Sequence, residues 1–163
     1  MSLSAKYWLM KTEPETFSWQ DLLQRPGRRE SWEGVRNYQA RNFMRDEFAE
    51  GHEVFIYHSS TGEPGIVGVA RVARAAYPDP TALRPDSPYF DPKSAADGKS
   101  RWVMVDVEAV SSFAEPITLK ALREHPELQE MALLQRGQRL SIQPVRPQEW
   151  KIICKMAKLI PIA

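Results

Sequence analysis

Glu53–Ala75 reads EVFIYHSSTGEPGIVGVARVARA, and its pattern decides the class of fold. Val54, Ile56 and His58 alternate with Phe55, Tyr57 and Ser59, the period of two that puts successive side chains on opposite faces of a strand. The break Thr61-Gly62-Glu63-Pro64-Gly65 has turn composition, and β-branched residues resume at Ile66 and run to about Ala75. The break therefore reads as a turn from one strand into the next. Gly65 and Gly68 inside the second strand predict a bulge or a close approach of another backbone.

Working outward, Tyr7–Lys11 is a short apolar run stopped by Pro14, and Arg101–Ser111 places Val103, Val105, Val107 and Ala109 on one face. Leu140–Val145 makes a last short strand. Helices are expected where a capping residue precedes helical spacing: Ser18 through Gln24, Asn37 to about Phe48, Thr118 to about Glu124, and Pro147 to about Ala157. Arg25–Ser31 has no apolar periodicity and is expected as a basic loop. Tyr77–Lys99 carries Pro78, Pro80, Pro85, Pro88 and Pro92, which is incompatible with a long helix or a central strand, and is expected as an excursion loop. Few tight βαβ units occur in this order, which predicts an α+β fold with a mixed, curved sheet flanked by helices.

The 163 residues suit a single domain, and a 42% hydrophobic share is that of a folded globular chain. No apolar run nears the ~20 residues of a membrane helix, and the N-terminus lacks signal-peptide character. One cysteine, Cys154, cannot form an internal disulfide. A monomer without membrane contact in a reducing, cytoplasmic setting is therefore the expectation. The net charge of +1 hides segregation: residues 25–45 carry a balance of +4 and residues 136–163 carry +5, while residues 46–135 carry −7. If the basic segments meet in space they form a face that attracts phosphates; a solvated mosaic surface is the plain alternative.

Nucleophile-elbow, Walker and dinucleotide-binding motifs are missing, and His52, His58 and His125 do not have metal-ligand spacing. The residues thus point away from an enzyme and imply no cofactor and no metal. Trp32–Asn42 (WEGVRNYQARN) is more informative. It combines rings that can stack on a base, amides that can pair with a base edge and arginines that can fork onto phosphates. The same residues also suit a core Trp32 and Tyr38, with Arg41 and Arg45 on a solvated helix face. Tyr57-His58-Ser59 at a strand end, and Ser141 with Gln143 on one face of the last strand, could line a pocket or simply face solvent or a loop.

Lys11-Thr12-Glu13-Pro14, Gly34–Asn42 (GVRNYQARN), Tyr57-His58-Ser59, Gly65–Ala70 (GIVGVA), Tyr77-Pro78-Asp79-Pro80, Tyr89–Lys93 (YFDPK), Arg101-Trp102 and Arg139–Val145 (RLSIQPV) together resemble an EVE domain. The matches run in family order from Tyr7 to Trp150. His52 departs from the pattern, standing where an aspartate commonly follows the glycine, in a turn away from the expected pocket. The resemblance implies a PUA-like fold, a β-barrel-like or curved sheet with surrounding helices, related to the YTH-type readers of methylated RNA. It implies a non-catalytic module for nucleic acid carrying a modified base, with modified cytosine in DNA the favoured ligand class. Such a base must leave its stack to be enclosed. Carried over residue by residue, the base pocket comprises Lys11, Thr12, Glu13, Trp32, Asn37, Asn42, His58, Ser59, Ser141 and Gln143. Arg28, Arg29, Arg36, Arg41 and Arg139 are the expected phosphate contacts. An enzyme acting on a modified nucleotide or nucleic acid through Glu13 or His58, an RNA-binding module, and a protein-interaction module built on Tyr77–Lys99 are the competing expectations.

Overall fold

A computed structural model describes residues 7–162. The chain runs β1 (Tyr7–Thr12), α1 (Trp19–Gln24), β2 (Arg29–Ser31), α2 (Tyr38–Asp46), β3 (Glu53–His58), β4 (Gly65–Pro78), α3 (Pro92–Asp97), β5 (Val103–Thr118), α4 (Leu119–Glu124), β6 (Ile142–Pro144), α5 (Pro147–Met156) and β7 (Leu159–Pro161). The strands form one seven-stranded sheet in the order β2-β5-β4-β3-β1-β6, with β7 pairing β5 beyond β2. The fold is α+β, and the mixed sheet is open and flanked by helices; it does not close into a barrel. Among the described strands only β1 and β3 are parallel, with Tyr7 opposite Glu53 and Thr12 opposite His58.

Both faces of the sheet are covered, so the interior strand β1 reads as a continuous apolar run: Trp8, Leu9 and Met10 are all fully buried. Trp8 and Met10 pack with Trp19, Leu22, Ala40 and Met44 under α1 and α2. Leu9 and Phe55 point to the other face, against Leu122, Leu128 and Ile153, and the Phe55 ring stacks on Trp150 at 3.7 Å between centroids. The expected caps form. Ser18 Oγ accepts from Asp21 N–H, Asn37 Oδ1 from Ala40 N–H and Thr118 Oγ1 from Ala121 N–H. The close approach expected at Gly65 and Gly68 is present. A Cβ at Gly65 would lie 2.5 Å from the Ile117 carbonyl oxygen, and one at Gly68 would lie 2.4 Å from the Trp19 ring. The β4–β5 register also shifts between Ile66 and Gly68.

Four expectations are corrected. Arg25–Ser31 is not simply a loop: Pro26–Arg28 makes a 3₁₀ turn and Arg29–Ser31 is an edge strand. Its hydrogen bonds come from Glu108, Val107 and Asp106, far off in sequence, so no local periodicity announces it. Tyr77 and Pro78 end β4, and the remaining excursion holds a 3₁₀ turn, Pro80–Leu83, and α3. Asp79 and Asp91 each cap a proline-led turn there, so these prolines start helices where they were expected only to prevent them. β5 continues past Ser111 to Thr118 because β4 and β7 pair with it there. β7 itself was not expected.

Candidate nucleic-acid interface

The parallel pairing of β1 with β3 brings the C-terminal ends of both strands to one edge. Ser59 N–H donates to the Thr12 carbonyl at 2.9 Å, and Lys11 N–H donates to the Ser141 carbonyl at 2.8 Å, so three chain segments converge there. Thr12 Oγ1 donates to the Phe17 carbonyl and closes the turn that follows β1. Facing this edge is the Trp32–Asn37 loop, anchored by Trp32 N–H donating to the Val105 carbonyl. Between them opens a cleft of about 910 Å3.

Of the expected base-pocket residues, Lys11, Thr12, Glu13, Trp32, Asn37, Ser59 and Ser141 line this cleft. Trp32 is 9% exposed and meets the Phe17 ring edge-on at 5.9 Å, which leaves a narrow aromatic strip facing the cavity. Asn37 stands at the rim with its Oδ1 engaged in the α2 cap. Lys11 is half-buried, its ammonium has no hydrogen bond or ion pair among the described residues, and burial lowers its pKa. Glu33, on the opposite wall, is pushed up by burial and by the nearby Asp79 and Glu30 carboxylates. The cleft therefore offers unpaired donors and acceptors beside a ring.

Three expected pocket residues lie elsewhere. Asn42 is on α2 outside the cleft, and its Oδ1 accepts twice from Arg41. His58 Nε2 accepts from Trp19 N–H at 3.0 Å, so the imidazole holds α1 to the sheet. Gln143 is 1% exposed opposite Leu9, donates to the Leu140 carbonyl, and leaves its Oε1 unpartnered.

The expected phosphate contacts are also redistributed. Arg139 lines the cleft and has no ion pair among the described residues. Arg36 lines it too, but its guanidinium is engaged within the wall: Nε donates to the Tyr89 carbonyl, Nη1 to Asp79 and the Val35 carbonyl, and Nη2 to Thr81. It also lies against the Tyr89 and Trp102 rings. Burial opposes ionisation of Asp79, yet hydrogen bonds from Gly34, Thr81 and Arg36 outweigh it and hold the carboxyl below its usual range. Arg41 packs over Tyr38 and Trp102 and donates to the Arg101 carbonyl. Arg28 and Arg29 sit at the β2 end, where Arg29 donates to the Ala73 carbonyl; neither they nor Arg41 reach the cleft.

Sequence reasoning missed Phe17, Glu30, Glu33 and Gln138 as lining residues; Arg25, from the loop expected to meet phosphates, and Tyr89, expected as lid or core, line the cleft too. Tyr89 belongs to the YFDPK motif, and its ring covers Gly34, where a Cβ would lie 2.6 Å away. Arg25 lies over the Phe17 ring and pairs with Glu30 at 2.6 Å.

The family pattern of the EVE domain matches residues 6–156, nearly the whole chain. The chain is a member of the EVE domain family. Human thymocyte nuclear protein 1 is 38% identical over 174 residues, an alignment spanning 96% of this chain and 76% of the relative. A crystal structure of a Pseudomonas syringae protein shares 48% identity and a TM-score of 0.85, covering 92% of this EVE chain and 98% of the other. The human THYN1 protein in complex with 5-methylcytosine-containing DNA shares 39% identity and a TM-score of 0.85, over 92% of this chain and 96% of that one. The open seven-stranded architecture is thus that of solved EVE relatives.

Proposed function

We propose that this chain binds DNA carrying a modified cytosine and takes the extruded base into the Trp32 cleft. The observation that carries the reading is the convergence, in one cleft roomy enough for a nucleotide, of the Trp32 ring, the unpaired Lys11 ammonium and the Glu13 and Glu33 carboxylates. Cytosine presents an exocyclic amino donor beside ring acceptors, and a carboxylate beside an ammonium complements that edge. Stacking on an aromatic ring adds about 1–3 kcal/mol per base, which offsets the few kcal/mol that unstacking costs. The human THYN1 complex with 5-methylcytosine-containing DNA supports the same ligand class for a relative of matching fold. The reading is of a binding module: His58, the histidine nearest this edge, is engaged with the Trp19 backbone.

The test is titration of labelled duplexes that differ only in one cytosine methyl group. Tighter binding to the methylated duplex, with the preference lost in Trp32→Ala, is expected. Equal, weak and strongly salt-dependent binding to both duplexes overturns it.

A further inference from the structure

A second cleft, of about 460 Å3, opens on the α4 side of the sheet, across the 135–139 loop from the first. Lys11, Gln138 and Arg139 line both cavities, so the two are neighbours with a shared wall. The charged groups lining the second are Lys11, Arg123, Arg136 and Arg139, and no carboxylate lines it. The ion pairs among the described residues engage Arg25, Arg36, Arg45, Arg71, Arg101 and Arg146, and leave these four cations unmatched. A further donor is aimed into the same space. Tyr57 is 4% exposed and lines the cleft, yet its hydroxyl makes no hydrogen bond among the described residues. Its hydroxyl is the end that reaches the cavity, where it can donate to a bound group.

We propose that this second cleft seats backbone phosphate of the same strand whose base enters the Trp32 cleft. Arg123 and Arg136 are its outer contacts, Tyr57 is a neutral donor at its floor, and Lys11 stands between phosphate and base. The inference rests on the base-binding reading above and supplies what that reading lacked, since Arg28, Arg29 and Arg41 lie away from the cleft and Arg36 is internally paired. Arginine forks and hydroxyls are the groups that position nucleic-acid backbones. A repeating polyanion matches a group of four cations better than a single carboxylate does, and a nucleotide's own covalent continuity carries its phosphate past the shared wall.

The test uses the full chain and its Arg123→Gln/Arg136→Gln variant, both arginines being exposed, with circular dichroism to check folding and single variants in reserve. Fluorescence anisotropy follows a duplex with one 5-methylcytosine between about 50 and about 200 mM salt. The slope of log affinity against log salt is expected to become shallower by about 0.7–0.9 for each phosphate that the variant no longer neutralises. The ratio of methylated to unmethylated affinity is expected to stay at its wild-type value. Tyr57→Phe is expected to weaken binding several-fold in the same assay. Wild-type slope and affinity in the double variant overturn the proposal. So does a variant that loses inorganic phosphate binding by NMR titration but keeps oligonucleotide affinity, since the cleft is then a small-anion site. If the wild type binds both duplexes equally, the base reading fails while a shallower slope in the variant still upholds the phosphate cleft. If no oligonucleotide binds, both fall.

Discussion

The fully buried carboxylate of Asp79 meets the Arg36 guanidinium at 3.0 Å, and this contact ties the loop carrying Trp32 to the segment carrying Tyr89. One wall of the candidate site is thus built from two distant stretches of chain joined by an ion pair whose carboxylate is fully buried and whose guanidinium is partly exposed. Removing one member of such a pair strands the other without compensation. Asp79→Ala is expected to destabilise the fold by about 3–5 kcal/mol and lower Tm by roughly 6–20 °C. Arg36→Met in the same background should recover part of the loss. Thermal unfolding followed by circular dichroism checks this, and a Tm within about 2 °C of wild type contradicts it.

Gly34 adopts φ +86°, and Tyr89 fills the space where a Cβ would stand. Gly34→Ala meets both a backbone penalty and a ring clash, and is expected to cost about 2 kcal/mol or more. Adding Tyr89→Ala relieves only the clash. The double variant should therefore fall between wild type and Gly34→Ala in chemical denaturation.

Lys11 should separate stability from binding. Its ammonium is desolvated and unpartnered in the free protein, so the fold gains nothing from its charge. Lys11→Met is expected to leave Tm unchanged or raise it, while weakening oligonucleotide affinity about tenfold or more. Parallel melting and anisotropy measurements read the two effects, and a large fall in Tm rules out this account of Lys11.

A pH dependence follows from His58, whose pKa is lowered by burial and whose Nε2 must stay unprotonated to accept from Trp19. The unfolded chain has the ordinary histidine value of about 6.5 and takes up the proton first. The contribution of neutral His58 to stability is therefore complete above about pH 6.5, and is lost as pH falls through that value toward the depressed folded one. His58→Gln supplies an acceptor that does not titrate. The fall in unfolding free energy between about pH 7 and about pH 5 should be smaller in this variant than in wild type. Identical profiles would sink the assignment.

Local chemistry was legible in the sequence wherever one residue's side chain acts on its near neighbours. Ser18, Asn37 and Thr118 cap the helices that follow them because an oxygen three residues upstream of an amide needs no tertiary partner. Arg29–Ser31 was illegible because its strand character comes wholly from the edge of β5. Gln143 shows the same limit on a smaller scale. Alternation places it on the face of Ser141, but only the pairing of β6 with β1 shows that this face is buried at Gln143 and reaches the cleft at Ser141. For the arginines, charge was visible and pairing was not. Arg36 and Arg139 read alike in sequence; one is locked to Asp79 and the other stands open.

The bond from Lys11 N–H to the Ser141 carbonyl joins residues far apart in the sequence. A polypeptide emerging from the ribosome has β1, the Trp32 loop and the β3 end long before it has their last neighbour. Until Ser141 and β6 follow, the nascent chain holds an unfinished groove with Lys11 on an uncovered edge. The wall formed by Ser141 and β6 depends on long-range pairing with β1, and so is among the last parts of the candidate site to form. A chain cut short before residue 141 could retain α1, α2 and much of the sheet and still have no closed site.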